Sequence, residues 1–371
     1  MKLNPLISTV FATALVATST ASPTDNASTI NHICNSAAPL LVIDNFKTRA
    51  AGFGINIPAA AAIDLDGDGI KDIAHGDMVA KVAELSGKQV ITYGIVDHFR
   101  QEDIIAAYKD IITRIKQNEI PAPSAIVMSL SFTINTRGIT DYAKGVTDLS
   151  ASNLQGKQSE VVSSLASGSI PEKLFQEFHA LKVMGIPVIT AAGNGFSNDS
   201  YNFYGMLGAI TIGASTTDGQ IAPYSNQSSL TSIYRTGDYI ARKTADGIDI
   251  NNDGIAEFSA DILSGQQELA TRFNGTTVRL NRITKNDWFK DGFYRLEDFL
   301  NATGMNSLPG NFKTYGQYIH YPSLAIFRTD QNGKLLFDPT NDRSTNQVSL
   351  VMGTSFAAPA ICSQPPALYG A

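Results

Sequence analysis

The chain has 371 residues, 43% hydrophobic and 17% charged, a balance able to bury the core of one large α/β domain or two modest ones. Its net charge is −6 with no basic block, which excludes nucleic acid as a partner, because phosphate binding needs clustered Lys and Arg. With only two cysteines, Cys34 and Cys362, it is no disulfide scaffold; one bridge joining the chain ends and two separate thiols both remain open.

Lys2, the apolar run 6–16 and the small residues Ser19-Thr20-Ala21 read as a secretory signal peptide over residues 1–21, the run being too short to span a bilayer. No later segment reaches the length of a membrane span, so the mature protein is expected in the periplasm or outside the cell. Residues 22–38, rich in Ser, Thr, Asn and Ala, read as an exposed lead-in. Leu40-Leu41-Val42-Ile43 is a continuous apolar run of the kind found in strands buried on both faces. Residues 79–85 suit a helix and 89–96 a strand. Over 101–117, Ile104, Ile105, Tyr108, Ile111, Ile112 and Ile115 recur at helical spacing, and Pro121 and Pro123 stop the run.

Residues 125–130 read as the next strand, whereas 133–168 are polar with little periodicity. Ser169 and Glu172 have capping-box spacing, with Pro171 early in the helix that follows. That helix would bury Leu174, Phe175, Phe178 and Leu181 and end at Gly185. Residues 186–190 and 209–213 are further strands. Strands alternating with helices predict an α/β/α three-layer fold with a mostly parallel sheet, whose sites form beyond the carboxyl ends of the strands. Asp44, Ser129 and Asn194 all fall at such ends.

Hydrolysis of a peptide by serine needs an attacking hydroxyl, an imidazole base, a carboxylate to orient it, and donors for the oxyanion. Gly353-Thr354-Ser355-Phe356-Ala357-Ala358-Pro359 sets a serine at a helix start, where free N–H groups favour an anion. His75-Gly76-Asp77-Met78-Val79-Ala80 sets a histidine at another, and Asp44 ends a buried strand. His32, His98, His179 and His320 have no motif around them and read as structural. With these residues in the order Asp, His, Ser, the chain resembles the subtilisin-like serine proteases. Ala191-Ala192-Gly193-Asn194 is similar to their oxyanion segment. Ile212-Gly213-Ala214-Ser215, with Ala222 and Tyr224-Ser225-Asn226, is similar to the stretch beyond it. Met128-Ser129-Leu130 is similar to the strip that pairs with substrate and lines the P1 pocket. The resemblance covers 39–228 and 345–362.

That resemblance implies a serine endopeptidase acting on polypeptides as a monomer. Asp44, His75 and Ser355 would form its triad, Asn194 its oxyanion donor, and Ser129, Leu130 and Ser131 its substrate strip. Two rival roles remain: a catalytically impaired binding protein of the same fold or truncated product, and a calcium-dependent interaction protein. An esterase using the same triad is a weaker third. Two acidic loops have calcium-ligand spacing: Asp64, Asp66, Asp68, Ile70 (carbonyl) and Asp72 in one, Asp249, Asn251, Asp253 and Glu257 in the other. The same Asp-Gly turns suit plain acidic surface loops.

The chain also departs from the family. Asp44 follows the cleavage site by about two dozen residues, leaving no room for a folding propeptide. Asn45-Phe46 replaces a small hydroxyl residue and glycine. Ser131 stands where glycine is common, which narrows the expected P1 pocket. Ser363-Gln364-Pro365-Pro366 breaks the helix expected to continue from the serine. Residues 229–344 read as an insertion in which Trp288, Phe289, Phe293, Tyr294, Leu296 and Phe299 pack a subdomain, and Asp330-Gln331-Asn332-Gly333 turns a hairpin. The peptidase domain would then be 39–228 with 345–371, short at its C-terminus.

Overall fold

The computed structural model describes residues 23–55, 62–63, 65, 72–95, 100–195, 200–215, 219, 221–222, 224–251, 253–259, five short strands between 293 and 337, and 347–363. The signal segment, His98, Asp64, Asp66, Asp68, Ile70, Trp288, Phe289, Leu296, Phe299, the 330–333 turn and residues 364–371 lie outside the described residues.

The described residues open with helix α1 (Pro23–Asn35), then strands β1 (Leu40–Asp44), β2 (Phe53–Gly54), β3 (Ala62–Ile63) and β4 (Ile73–Ala74), and helix α2 (His75–Leu85). Next come β5 (Val90–Gly94), α3 (Gln101–Lys116), β6 (Ala125–Met128), β7 (Thr133–Asn135), α4 (Ile139–Tyr142), α5 (Leu154–Ser163) and α6 (Ile170–Val183). They are followed by β8 (Val188–Ala191), β9 (Ser200–Asn202), α7 (Phe203–Met206), β10 (Ile210–Ser215), β11 (Thr231–Thr236) and β12 (Asp238–Lys243).

The centre is a seven-stranded sheet in the order β11-β10-β8-β6-β1-β5-β2. Every pairing in it is parallel. Both faces are covered, which is why β1 is apolar at every step. Leu40 and Val42 pack on one side with Met78, Val79, Val82 and Ala83 of α2; Leu41 and Ile43 pack on the other with Ile104, Tyr108 and Ile111 of α3 and Leu174, Phe178 and Leu181 of α6. Ser169 caps α6 as expected, accepting the Glu172 N–H at 3.3 Å. Phe175 stays half-buried at the edge.

Three sequence expectations change, and one open alternative is resolved. The lead-in is not wholly exposed: α1 buries Ile30 and Ile33 against the α2 side of the sheet. Lys88, itself buried, donates to the Ile33 carbonyl at 2.8 Å and to that of Ser36, satisfying acceptors that a helix end leaves open. The polar stretch 133–168 contains β7, α4 and α5, too short or too polar to show a period. The boundary at 228 falls too early. β11 is the edge of the main sheet, and β12 pairs antiparallel with strand Gln347–Met352, which delivers the chain to Ser355. Finally, Cys34 and Cys362 are bonded, with Cα atoms 5.2 Å apart.

Candidate active site

Asp44 is the last residue of β1, an interior strand of the sheet, and is wholly buried. Its Oδ2 lies 2.8 Å from His75 Nδ1, while its Oδ1 accepts the Asn45 N–H at 2.9 Å. His75 is the first residue of α2 and keeps 17% of its side chain exposed. Gly76 permits this approach. A Cβ there would stand 2.3 Å from the Asn45 carbonyl oxygen and 2.7 Å from Asp44 Cβ. Its N–H donates to that same carbonyl at 3.0 Å, locking the start of α2 onto the end of β1.

Asp77, one turn into α2 and also buried, holds the other side of this junction. Its carboxylate accepts from the N–H groups of Ala74 at 2.8 Å and Lys47 at 2.8 Å, and from Thr48 and Arg49 at 3.1 Å. One side chain thus caps the helix and ties down the loop that leaves Asp44.

Ser355 enters from the opposite direction. Gly353, at φ 153°, turns the chain out of strand Gln347–Met352 into the short helix Thr354–Ala357. Thr354 then reaches the Asn194 loop. Both its N–H and its hydroxyl donate to Asn194 Oδ1 at 2.8 Å, and the Gly193 N–H donates to Thr354 Oγ1 at 3.0 Å. A backbone N–H can only donate, so it fixes the carboxamide oxygen inward and leaves the NH₂ end to face outward. A Cβ on residue 353 would crowd that nitrogen at 3.2 Å.

The Ser355 hydroxyl donates to the Ser129 carbonyl at 2.9 Å. Next to it, the Phe356 ring packs on the His75 ring, centroids 5.3 Å apart. Asp44 and His75 are therefore directly bonded, Ser355 is brought against them through its neighbour, and Asn194 is bonded to the residue before the serine. Ser129, Leu130 and Ser131 continue from the end of β6 past the serine, Ser129 buried and Ser131 exposed.

Several supporting side chains carried no role in the sequence reading. Asn226 braces the 192–195 segment: its Oδ1 accepts the Gly195 N–H at 2.8 Å and its Nδ2 donates to the Ala192 carbonyl at 3.2 Å. Tyr224 donates to Asp238 beneath Gly237 and Gly353. Burial first, then the Asp238 charge, pushes its hydroxyl well above the usual tyrosine range, so it stays a donor. Thr354, Asp77 and Asn226 stood inside motif segments, where their polarity at buried helix or turn positions was the available signal. Asp238 and Asn202 had none.

Of the acidic loops, the second is described. It spans β13 (Gly247–Asp249) and β14 (Phe258–Ser259), which pair antiparallel around it. Carboxylate oxygens of Asp249, Asp253 and Glu257 lie within 4.8 Å of one another. Asn251 is bonded to one member of this group, its carboxamide donating to Asp253 Oδ2 at 2.9 Å and accepting the Asp253 N–H at 3.0 Å. Burial, then the charges of Asp249 and Asp253, raise the Glu257 carboxyl against the lowering effect of the Ile250 N–H. Of the first loop, Asp72 is buried and accepts the Leu65 N–H at 2.7 Å.

No family model matches the sequence, and no curated protein sequence matches it. Among solved structures, the chain is similar to a lanthipeptide protease at 12% identity, over 92% of this chain and 76% of that one, with a TM-score of 0.40. It is similar to the epidermin leader peptide processing serine protease of Staphylococcus aureus at 13% identity, over 91% and 67%, with a TM-score of 0.37. It is also similar to a cold adapted subtilisin-like serine proteinase at 13% identity, over 62% and 72%, with a TM-score of 0.29. Identities and scores this low leave the reading of the site resting on the chain's own sheet order and hydrogen bonds.

Proposed function

We propose that the protein is an exported, monomeric serine endopeptidase that cleaves polypeptides through an acyl-enzyme on Ser355. The observation that carries this reading is the buried Asp44 carboxylate on His75 Nδ1 at 2.8 Å, at the rim where Ser355 and the outward Asn194 amide converge. An ionised carboxylate only accepts, so Nδ1 carries hydrogen and Nε2 is left as the base. The Ser355 hydroxyl swings from the Ser129 carbonyl to Nε2 as substrate enters. Its oxygen bonds the scissile carbon while its proton passes to His75. The carbonyl oxygen becomes an anion held by the Asn194 NH₂ and the Ser355 N–H, which has no acceptor within the first helical turn. Collapse breaks the C–N bond, and His75 returns the proton to the leaving amine. Water, deprotonated by His75, then releases the acid and restores the serine.

Export is supported by the N-terminal pattern and by the Cys34–Cys362 bond, since disulfides persist in oxidising compartments. No helix among the described residues is long and apolar enough to cross a membrane. The deciding experiment is peptide hydrolysis and fluorophosphonate labelling of the wild type beside Ser355→Ala. Labelling and turnover that vanish in the variant support the endopeptidase. A folded wild type that neither labels nor turns over peptide would instead favour the peptide-binding role.

Calcium is proposed for the Asp249, Asp253 and Glu257 loop. Oxygens within 4.8 Å of one another suit a cation whose ligands sit at about 2.3–2.6 Å. The ion would neutralise three converging carboxylates beside β12, and takes no part in the chemistry. Thermal melting in calcium against chelator should show stabilisation that Asp253→Ala removes; identical melting in both would end this proposal.

A further inference from the structure

In the endopeptidase reading, a peptide acylating Ser355 places its P1 side chain between the two segments flanking that serine. One wall is Ser129–Ser131, whose first carbonyl meets Ser355 Oγ at 2.9 Å. The other is the 191–194 segment, tied to the serine turn through Thr354. Two side chains bridge these walls.

Asn202, 1% exposed, spans the gap at its base. Its Nδ2 lies 3.1 Å from the Leu130 carbonyl oxygen on one wall and 2.6 Å from that of Ala191 on the other. The same nitrogen lies 2.8 Å from Thr190 Oγ1, which itself donates to Leu130 O at 2.7 Å. The Asn202 Oδ1 accepts the N–H groups of Phe132 at 3.1 Å and Tyr204 at 3.0 Å. Moving this side chain aside would orphan buried groups on both walls at once, so the base is rigid.

Nearer the mouth, Thr133 covers the face of Gly193. A Cβ built at 193 would stand 2.8 Å from Thr133 Oγ1 and 2.6 Å from Asn226 Nδ2, with no room for even a methyl group. Thr133 Oγ1 is held in place by donating to Ser131 Oγ at 3.0 Å. Hydroxyl and amide groups thus bridge the two walls at both places. A large apolar side chain entering between the walls would have to displace Thr133 and would strip these groups of their partners.

We propose that Asn202 and Thr133 close this gap and restrict cleavage to bonds after glycine, alanine or serine. The inference rests on the endopeptidase reading above and deepens it. Its test is a peptide series identical except at P1, cleaved by the full chain, beside Thr133→Ala and the double variant Ser131→Gly, Thr133→Gly. The expected wild-type kcat/KM for P1 alanine exceeds that for leucine and phenylalanine by about tenfold or more, and opening the mouth shrinks that ratio by about tenfold. The wild-type profile stands alone should a variant fold poorly. Labelling by a small methyl fluorophosphonate, which needs no P1 pocket, separates the two readings. A chain that labels but prefers phenylalanine or leucine overturns this inference alone. A chain that neither labels nor cleaves any peptide overturns the endopeptidase reading, and this inference with it.

Discussion

Asn194 shows how one residue's chemistry depends on a neighbour's. Its carboxamide has two ends, an NH₂ that would donate to an oxyanion and an oxygen that would repel one. Thr354 decides: with N–H and hydroxyl both on Oδ1 at 2.8 Å, only the NH₂ is left to face a substrate. Asn194→Ala should therefore lower kcat by about 10²–10³, equivalent to about 2.7–4 kcal/mol, with KM little changed. Thr354→Val keeps the backbone donor and loses the hydroxyl, and should cost less. Steady-state kinetics of both variants check this, with melting curves to exclude unfolding. Equal kcat for Asn194→Ala and wild type would remove Asn194 from the reaction. His75, Ser355 and Asn194 could be singled out in the sequence because each sits in a local motif with a glycine close by, and Asp44 because it ends a continuous apolar run. Thr354 was not, because its partner lies on a different loop and nothing in its own segment names that loop.

Helix α2 carries the same lesson at the level of an element. Its apolar face was readable from Val79 onward, since Met78, Val79, Val82 and Ala83 recur at helical spacing and are buried. Its start was set by something less local. Ala74 offers no capping side chain, and Asp77 reaches back to the Ala74 N–H while accepting from Lys47, Thr48 and Arg49. Charge-assisted bonds to a buried carboxylate are stronger than neutral ones, and each orphaned buried donor costs about 1–3 kcal/mol. Asp77→Ala should lower Tm and also lower kcat, because the loop leaving Asp44 loses its anchor. Asp77→Asn keeps one accepting oxygen and should recover part of both. Melting and kinetics on the pair check it; a kcat unchanged in Asp77→Ala would limit Asp77 to holding the helix. Helix α1 stayed hidden for a related reason. Two isoleucines among Ser, Thr and Asn make too narrow a stripe to announce a helix, and Lys88, more than fifty residues on, supplies its C-terminal donor.

For the molecule as a whole, the open question was how a serine helix that breaks so early could be held. The observed segment is one α-turn, Thr354–Ala357, and one 3₁₀ turn, Pro359–Cys362, after which Ser363 is extended. A helix this short has no stability of its own. It is held from outside. Phe356, Ala357, Ala358, Ala360 and Ile361 are buried in the cluster that also contains Ile30, Ile33 and the α2 face. Arg235 of β11 donates to the Ile361 carbonyl at 3.2 Å. The Cys34–Cys362 bond then ties the segment to α1 across 328 residues of sequence. The parallel order of the sheet was readable because strand and helix periods are local, whereas this clamp was only one of two open readings, because two cysteines fix the partner but not whether the bond forms. Removing a native disulfide typically costs about 2–5 kcal/mol, and the loop closed here is long. Cys34→Ser, Cys362→Ser and thiol reduction of the wild type should all lower Tm by similar amounts. Fluorophosphonate labelling of Ser355 should slow in each at temperatures where the rest of the fold persists, because the clamp holds the turn that carries the serine. Slower labelling together with unchanged Asn194→Ala sensitivity would place the effect in that turn. Equal Tm and equal labelling in oxidised and reduced protein would show that burial of Phe356 and Ile361 alone suffices to hold it.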